Sequence, residues 1–72
     1  MNALIYLRNE KRALVSNISK IIRHKGGYSE EEEIIESSDF DSFQIFDYNY
    51  TFVGNETVAI SGADILYVSF SN

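Results

Sequence analysis

The chain is 72 residues long and carries five Phe, five Tyr, no cysteine and no proline. That length makes one domain, and the composition excludes disulfides and thiolate-ligated zinc as staples, so dense aromatic packing and homo-oligomerisation are the remaining supports for so small a core. No apolar run approaches the roughly 20 residues that span a bilayer, and the net charge of −5 is unevenly laid out.

Residues 1–25 hold Arg8, Lys11, Arg12, Lys20, Arg23 and Lys25 against Glu10 alone, whereas residues 26–72 hold ten carboxylates and no lysine or arginine. Such a split points to charge-complementary contact, within the fold or between chains. The opening "MNALIYLRNEKR" places its short apolar run before its charges, the reverse of a secretory signal, so a cytoplasmic protein is expected.

In chain order, the β-branched and aromatic run Ala3 to Arg8 predicts a strand, and "NEK" or "NEKR" a polar turn. The next segment, "ALVSNISKIIRHKGG", reads two ways. Leu14, Val15, Ile18, Ile21 and Ile22 fall within about 120° of arc at helical spacing, which gives an α+β alternative with a helix at about 10–24. Val, Ser, Asn and Ile are mediocre helix formers, however. The preferred reading is a strand with Leu14, Ile18 and Ile22 on one face, completing an N-terminal hairpin.

Gly26 and Gly27 break that element. The carboxylates of Glu30 to Glu33 repel one another, which predicts a solvated, mobile acidic loop at about 26–38. Ser29 with Glu32 matches a capping box, weak support for a helical turn.

Beyond the loop, Phe46, Tyr48, Tyr50 and Phe52 occupy every second position, with Asp47, Asn49 and Thr51 between them, an aromatic face opposite a polar one. A three-residue loop, Gly54 to Glu56, pairs Phe52 with Val58 and Tyr50 with Ile60. A two-residue loop would pair Phe52 with Thr57, so the longer loop is preferred. "SGAD" makes a further turn, and "ILYVSF", apolar on both faces, suits a strand covered on both sides. The sum is an all-β single domain over residues 1–72: a small barrel-like or highly curved antiparallel sheet of five to six strands.

Chemistry-bearing patterns are sparse. His24 is the only histidine, so one chain has no two-histidine metal site, and there is no cysteine nucleophile. Asp39 and Asp41 in "DFDSFQ" resemble the start of a calcium loop, but Phe43 stands where a third ligand belongs and Gln44 where glycine is needed. No catalytic residue, metal or cofactor is expected. The aromatic row could serve as a stacking platform for single-stranded nucleic acid, but a domain this small needs those rings as its core.

Two binding surfaces remain. The acidic one, Glu30, Glu31, Glu32, Glu33, Glu36, Asp39 and Asp41, would face a basic protein partner. The basic one, Arg8, Lys11, Arg12, Lys20, Arg23 and Lys25, would serve an alternative nucleic-acid-binding role.

The segments "ALIYLRNEKRALVSNISKI" and "YTFVGNETVAISGADILYVSF" resemble small β-rich accessory proteins carried by phages and prophages of low-GC Gram-positive bacteria, in which a front hairpin, an acidic insert and a closing β-meander follow one another. The resemblance covers about half the chain and carries over no functional residue. It implies a virus-encoded protein in the host cytoplasm that binds and modulates a host protein, such as a defence nuclease. The expectation is therefore a non-enzymatic binding protein, homo-oligomeric, using the acidic surface. A purely structural subunit is the third possibility.

Overall fold

The structure, a computed structural model, describes residues 1–26 and 31–72. Strand β1 (Asn2–Leu7) turns through Arg8–Lys11 into β2 (Arg12–Val15). Glu10 takes a left-handed conformation, φ 69°, and the Asn9 side chain accepts a 3.0 Å hydrogen bond from the Lys11 amide. Ala3 lies opposite Val15 and Ile5 opposite Ala13, so the small and branched apolar side chains share one face.

The segment after β2 is neither a helix nor one long strand. Asn17, at φ 51°, kinks the chain where an Asn tolerates the left-handed region, and its amide is held by Asn2 Oδ1 at 3.1 Å. Beyond the kink β3 (Lys20–Gly26) belongs to a different sheet. The inward residues are accordingly Val15, Ile18 and Ile21, not Leu14, Ile18 and Ile22; Leu14 is 52% exposed. Both the helix alternative at about 10–24 and the single second strand are corrected by that kink.

The acidic stretch is corrected as well. Glu31–Glu36 is a strand, β4, antiparallel to β3, and only Glu30 of the predicted acidic surface lies outside the described residues, along with the candidate cap Ser29. A 3-10 turn (Ser37–Ser42) and an irregular stretch then carry the chain past β3 to β5 (Asn49–Val53) on its other side. β5 and β6 (Thr57–Ser61) pair Phe52 with Val58 and Tyr50 with Ile60 around Gly54–Glu56, the register anticipated from apolar pairing. A second 3-10 turn (Gly62–Asp64) leads into β7 (Ile65–Ser71), which returns to β1.

Among the described residues there are thus seven strands in two antiparallel sheets, ordered β2-β1-β7 and β4-β3-β5-β6. The fold is all-β, but the count exceeds five to six and no barrel closes. The sheets meet at one side through the Asn55 amide on Ser16 O (2.9 Å) and the Ser19 amide on Val53 O (2.8 Å). Between them sits one core that includes Ile5, Val15, Ile21, Ile65, Tyr50 and Phe52, each 1% exposed or less.

Tyr50 and Phe52 fulfil the inward aromatic face, with Tyr48 packed at the margin, while Phe46 lies before the strand and is 49% exposed. Phe43 supplies the missing ring, edge-on to Tyr50, Phe52 and Phe70 at 5.7, 6.4 and 6.3 Å between centroids. β7 is an edge strand with one free face, contrary to the doubly covered strand its composition suggests: Leu66 and Tyr67 are 53% and 49% exposed.

Candidate functional site

The register of β3 against β4 resolves much of the charge split inside the fold. Lys20 stands opposite Glu36, Arg23 opposite Glu33 and His24 opposite Glu32. Because side chains alternate, these pairs fall on two faces. His24 and Lys20 point outward, away from the core; Arg23, in phase with the buried Ile21, points inward.

Arg23 is the one charged residue buried among the described residues. Its Nε donates to the Tyr50 hydroxyl at 3.2 Å, one terminal nitrogen to Glu33 Oε1 and the other to the carbonyl of Gln44 at 2.7 Å. The same hydroxyl accepts the Phe46 amide at 2.7 Å. The guanidinium also lies 5.1 Å from the Phe46 ring centre.

Burial pulls the guanidinium pKa down, but the hydrogen bonds it donates to Tyr50 and Glu33, with their charges, outweigh that, so the group is held above its ordinary value and stays charged. Arg23 thereby ties β3, β4, β5 and the crossing stretch Gln44–Phe46 together. A small pocket of about 230 Å³ opens beside it, walled by Glu33, Asp39, Ser42, Phe43 and Phe46.

These contacts divide the predicted site residues. Glu33 is spent on Arg23. Glu31, Glu32 and Glu36 are exposed along β4, an edge of its sheet, and Asp39 and Asp41 are exposed on the 3-10 turn that follows. Glu32 also approaches His24 Nδ1 at 3.4 Å, while Nε2 sits 2.8 Å from Thr51 Oγ1, so the histidine bridges three strands on the outer face.

The basic set is not one surface. Arg8, Lys11 and Arg12 cluster at the β1–β2 turn, with Arg8 Nε committed to Ala63 O at 3.0 Å, whereas Lys20 and Lys25 lie on β3 and Arg23 is inside. The nucleic-acid alternative therefore loses Arg23 as a phosphate contact.

Sequence reasoning missed Tyr50, Gln44 and Phe46 as Arg23's partners; the available signal was the period-2 phase of "KIIRHKG", which sets Arg23 beside Ile21. A second pair it missed is Tyr6 and Tyr67, stacked at 4.2 Å on the outer face of the three-stranded sheet. Desolvation, with charge repulsion from Tyr6, holds the Tyr67 phenol above its ordinary pKa despite nearby Arg12.

No protein-family model, curated protein or solved structure matches the chain. The site is therefore read from its own chemistry. Among the described residues no group of three or more His, Asp or Glu side chains could hold a metal ion, and no helix is long and apolar enough to cross a membrane. What the arrangement offers is a row of exposed carboxylates along a strand whose outer edge, among the described residues, has no pairing strand.

Proposed function

We propose that the chain is a non-enzymatic binding protein that receives a basic, extended segment of a partner protein on the acidic edge strand β4. The observation that carries this reading is the edge position of Glu31–Glu36. An edge strand offers main-chain donors and acceptors for an added strand. Glu31, Glu32 and Glu36, continued by Asp39 and Asp41, supply a potential that favours lysine and arginine and opposes acidic competitors. Ile34, 53% exposed between Glu32 and Glu36 on the outer face, gives an added strand one apolar contact. The resemblance to phage accessory proteins supports a host protein as the partner, of the class that handles nucleic acid and so carries a basic surface.

The test uses an extended peptide of alternating lysine and valine as the probe, with calorimetry for affinity and backbone amide shifts for location. Binding is expected to perturb Glu31–Glu36 and to weaken with added salt. Replacing Glu31, Glu32 and Glu36 together by lysine, with Glu33 kept because Arg23 needs it, should cost about tenfold or more in affinity and leave the far-ultraviolet dichroism unchanged. The same triple variant should lose its partner in a pull-down from the cell in which the protein acts. Affinity and capture equal to those of the native chain would remove β4 as the binding edge.

A further inference from the structure

The four sheet edges differ in what they tolerate. β4 carries exposed glutamates and repels a second copy of itself. β2 is four residues long and begins with Arg12. β6 is five residues long, and the turn before it is held to the β2–β3 link by the Asn55 amide on Ser16 O at 2.9 Å. β7 has seven residues, ILYVSFS, and none is charged. Among the described residues it pairs with β1 alone, and no backbone or side-chain hydrogen bond covers the other edge of Leu66–Ser71. Natural edges are usually blunted by charge, proline or brevity; here Leu66 is the extra residue of a bulge between the pairs Tyr6–Tyr67 and Leu7–Ile65, and the stretch after it is regular.

Beside that edge runs a groove of about 560 Å³. Val68 and Phe70 line it from the strand, and Phe40, Phe43 and Ile45 from the crossing stretch, with the exposed carboxylate of Asp41 also on its border. On the opposite face of the strand Tyr67 stays half exposed, stacked on Tyr6.

We propose that β7 pairs with β7 of a second copy, antiparallel about a two-fold axis at Ser69, to make a continuous six-stranded sheet β2-β1-β7-β7-β1-β2. The pairing is self-consistent in charge and in pattern. A strand on a two-fold axis meets itself, so any charge would face or neighbour its own copy, and β7 has none. The regular stretch Tyr67–Ser71 is centred on Ser69. That register sets Val68 opposite Phe70 on the groove side and Tyr67 opposite Ser71 on the other. Apolar side chains then meet across the inner face, and the bulged Leu66 falls outside the ladder.

A standard interface takes about 800 Å² from each partner, about one sixth of this chain's 4843 Å². The edge backbone alone does not supply that, so the half-buried Phe43 and Ile45 of the groove and the exposed Leu66 and Tyr67 belong to the same contact. The proposal is independent of the role of β4, which lies in the other sheet.

The experiment is the mass of the full chain by sedimentation equilibrium across a wide concentration range, with two cysteine variants. The expected result is twice the 8.2 kDa of one chain, dissociating on dilution. The native chain has no cysteine, so Ser69→Cys gives a single reporter. Facing residues in an antiparallel pair lie about 4.5–5.5 Å apart at Cα, within disulfide reach. Ser69→Cys should therefore cross-link to a covalent dimer under mild oxidation, and Ser71→Cys, opposite Tyr67, should not. Ser69→Lys, at an exposed position, should return the mass to that of one chain with the dichroism unchanged. A native mass of one chain at every concentration, a dimeric Ser69→Lys protein that remains folded, or equal cross-linking at both cysteine positions would each overturn the pairing.

Discussion

Arg23→Ala should lower the unfolding free energy by about 2 to 3 kcal/mol, a large share of what a domain of this length holds. Removing one member of a buried ion pair typically costs about 3 to 5 kcal/mol, because the other is left charged and unpaired. The lower figure applies here because the Glu33 side chain is 45% exposed and can rehydrate, while that of Arg23 is only 11% exposed. The loss extends beyond the ion pair. The Tyr50 hydroxyl loses one donor, the Gln44 carbonyl loses its partner and the Phe46 ring loses its cation.

Tyr50→Phe should cost about 1 to 2 kcal/mol, because it strands both the Arg23 Nε–H and the Phe46 amide. Glu33→Gln, on the exposed side, should cost less. In urea titrations, the Arg23→Ala and Tyr50→Phe double variant should fall short of the sum of the singles by more than 0.5 kcal/mol, the mark of a shared network. Additive losses would mean that Arg23 and Tyr50 act separately.

Gly62→Ala should be at least as damaging, about 3 kcal/mol. Gly62 is buried at the start of the second 3-10 turn, and its amide donates to Tyr48 O at 2.6 Å. A methyl there would collide with the carbonyl of Phe46, lie 2.7 Å from the carbonyl of Tyr48 and 2.9 Å from Tyr50 Cε2. Two of those three obstacles are backbone, so relief requires moving the Phe46–Tyr48 stretch that Arg23 and Tyr50 hold in place. Gly26 is the contrast: its φ is +70°, but no atom of the described residues lies within 4 Å of a Cβ there. Gly26→Ala should cost only the left-handed conformation, about 1 kcal/mol. Thermal melts of the two variants check the ordering, and a Gly62→Ala melt at the native temperature would contradict the close packing of the turn.

What could be read from the amino acids alone was local. The β5–β6 register followed from asking which loop length keeps Phe52 and Tyr50 opposite apolar partners, and Ala3 to Leu7 carried strand composition. The errors arose where the answer depended on a distant partner. Glu31–Glu33 look self-repelling along the chain, but in the fold Glu32 and Glu33 meet His24 and Arg23, and Glu36 stands opposite Lys20 in the register.

"ALVSNISKII" mixes two phases because Asn17 transfers the chain between sheets, which no single period describes. Phe46 kept the alternation of Tyr48, Tyr50 and Phe52 but serves Arg23, and the ring that fills the core is Phe43, from a stretch with no regular period. Of the acidic surface, Glu31, Glu32, Glu33, Glu36, Asp39 and Asp41 stand exposed, and what the chain alone does not show is that Glu33 is held by Arg23.

In this fold the acidic run Glu31–Glu36 is a strand zipped to the basic β3, leaving a charged edge. Amide hydrogen exchange followed by NMR across Glu31–Glu36 tests it most directly. Alternate amides, those turned toward β3, should be protected while their neighbours exchange quickly, as an edge strand requires. Free-chain exchange at every position from Glu31 to Glu36 would contradict the pairing and remove the edge on which the proposed partner binds.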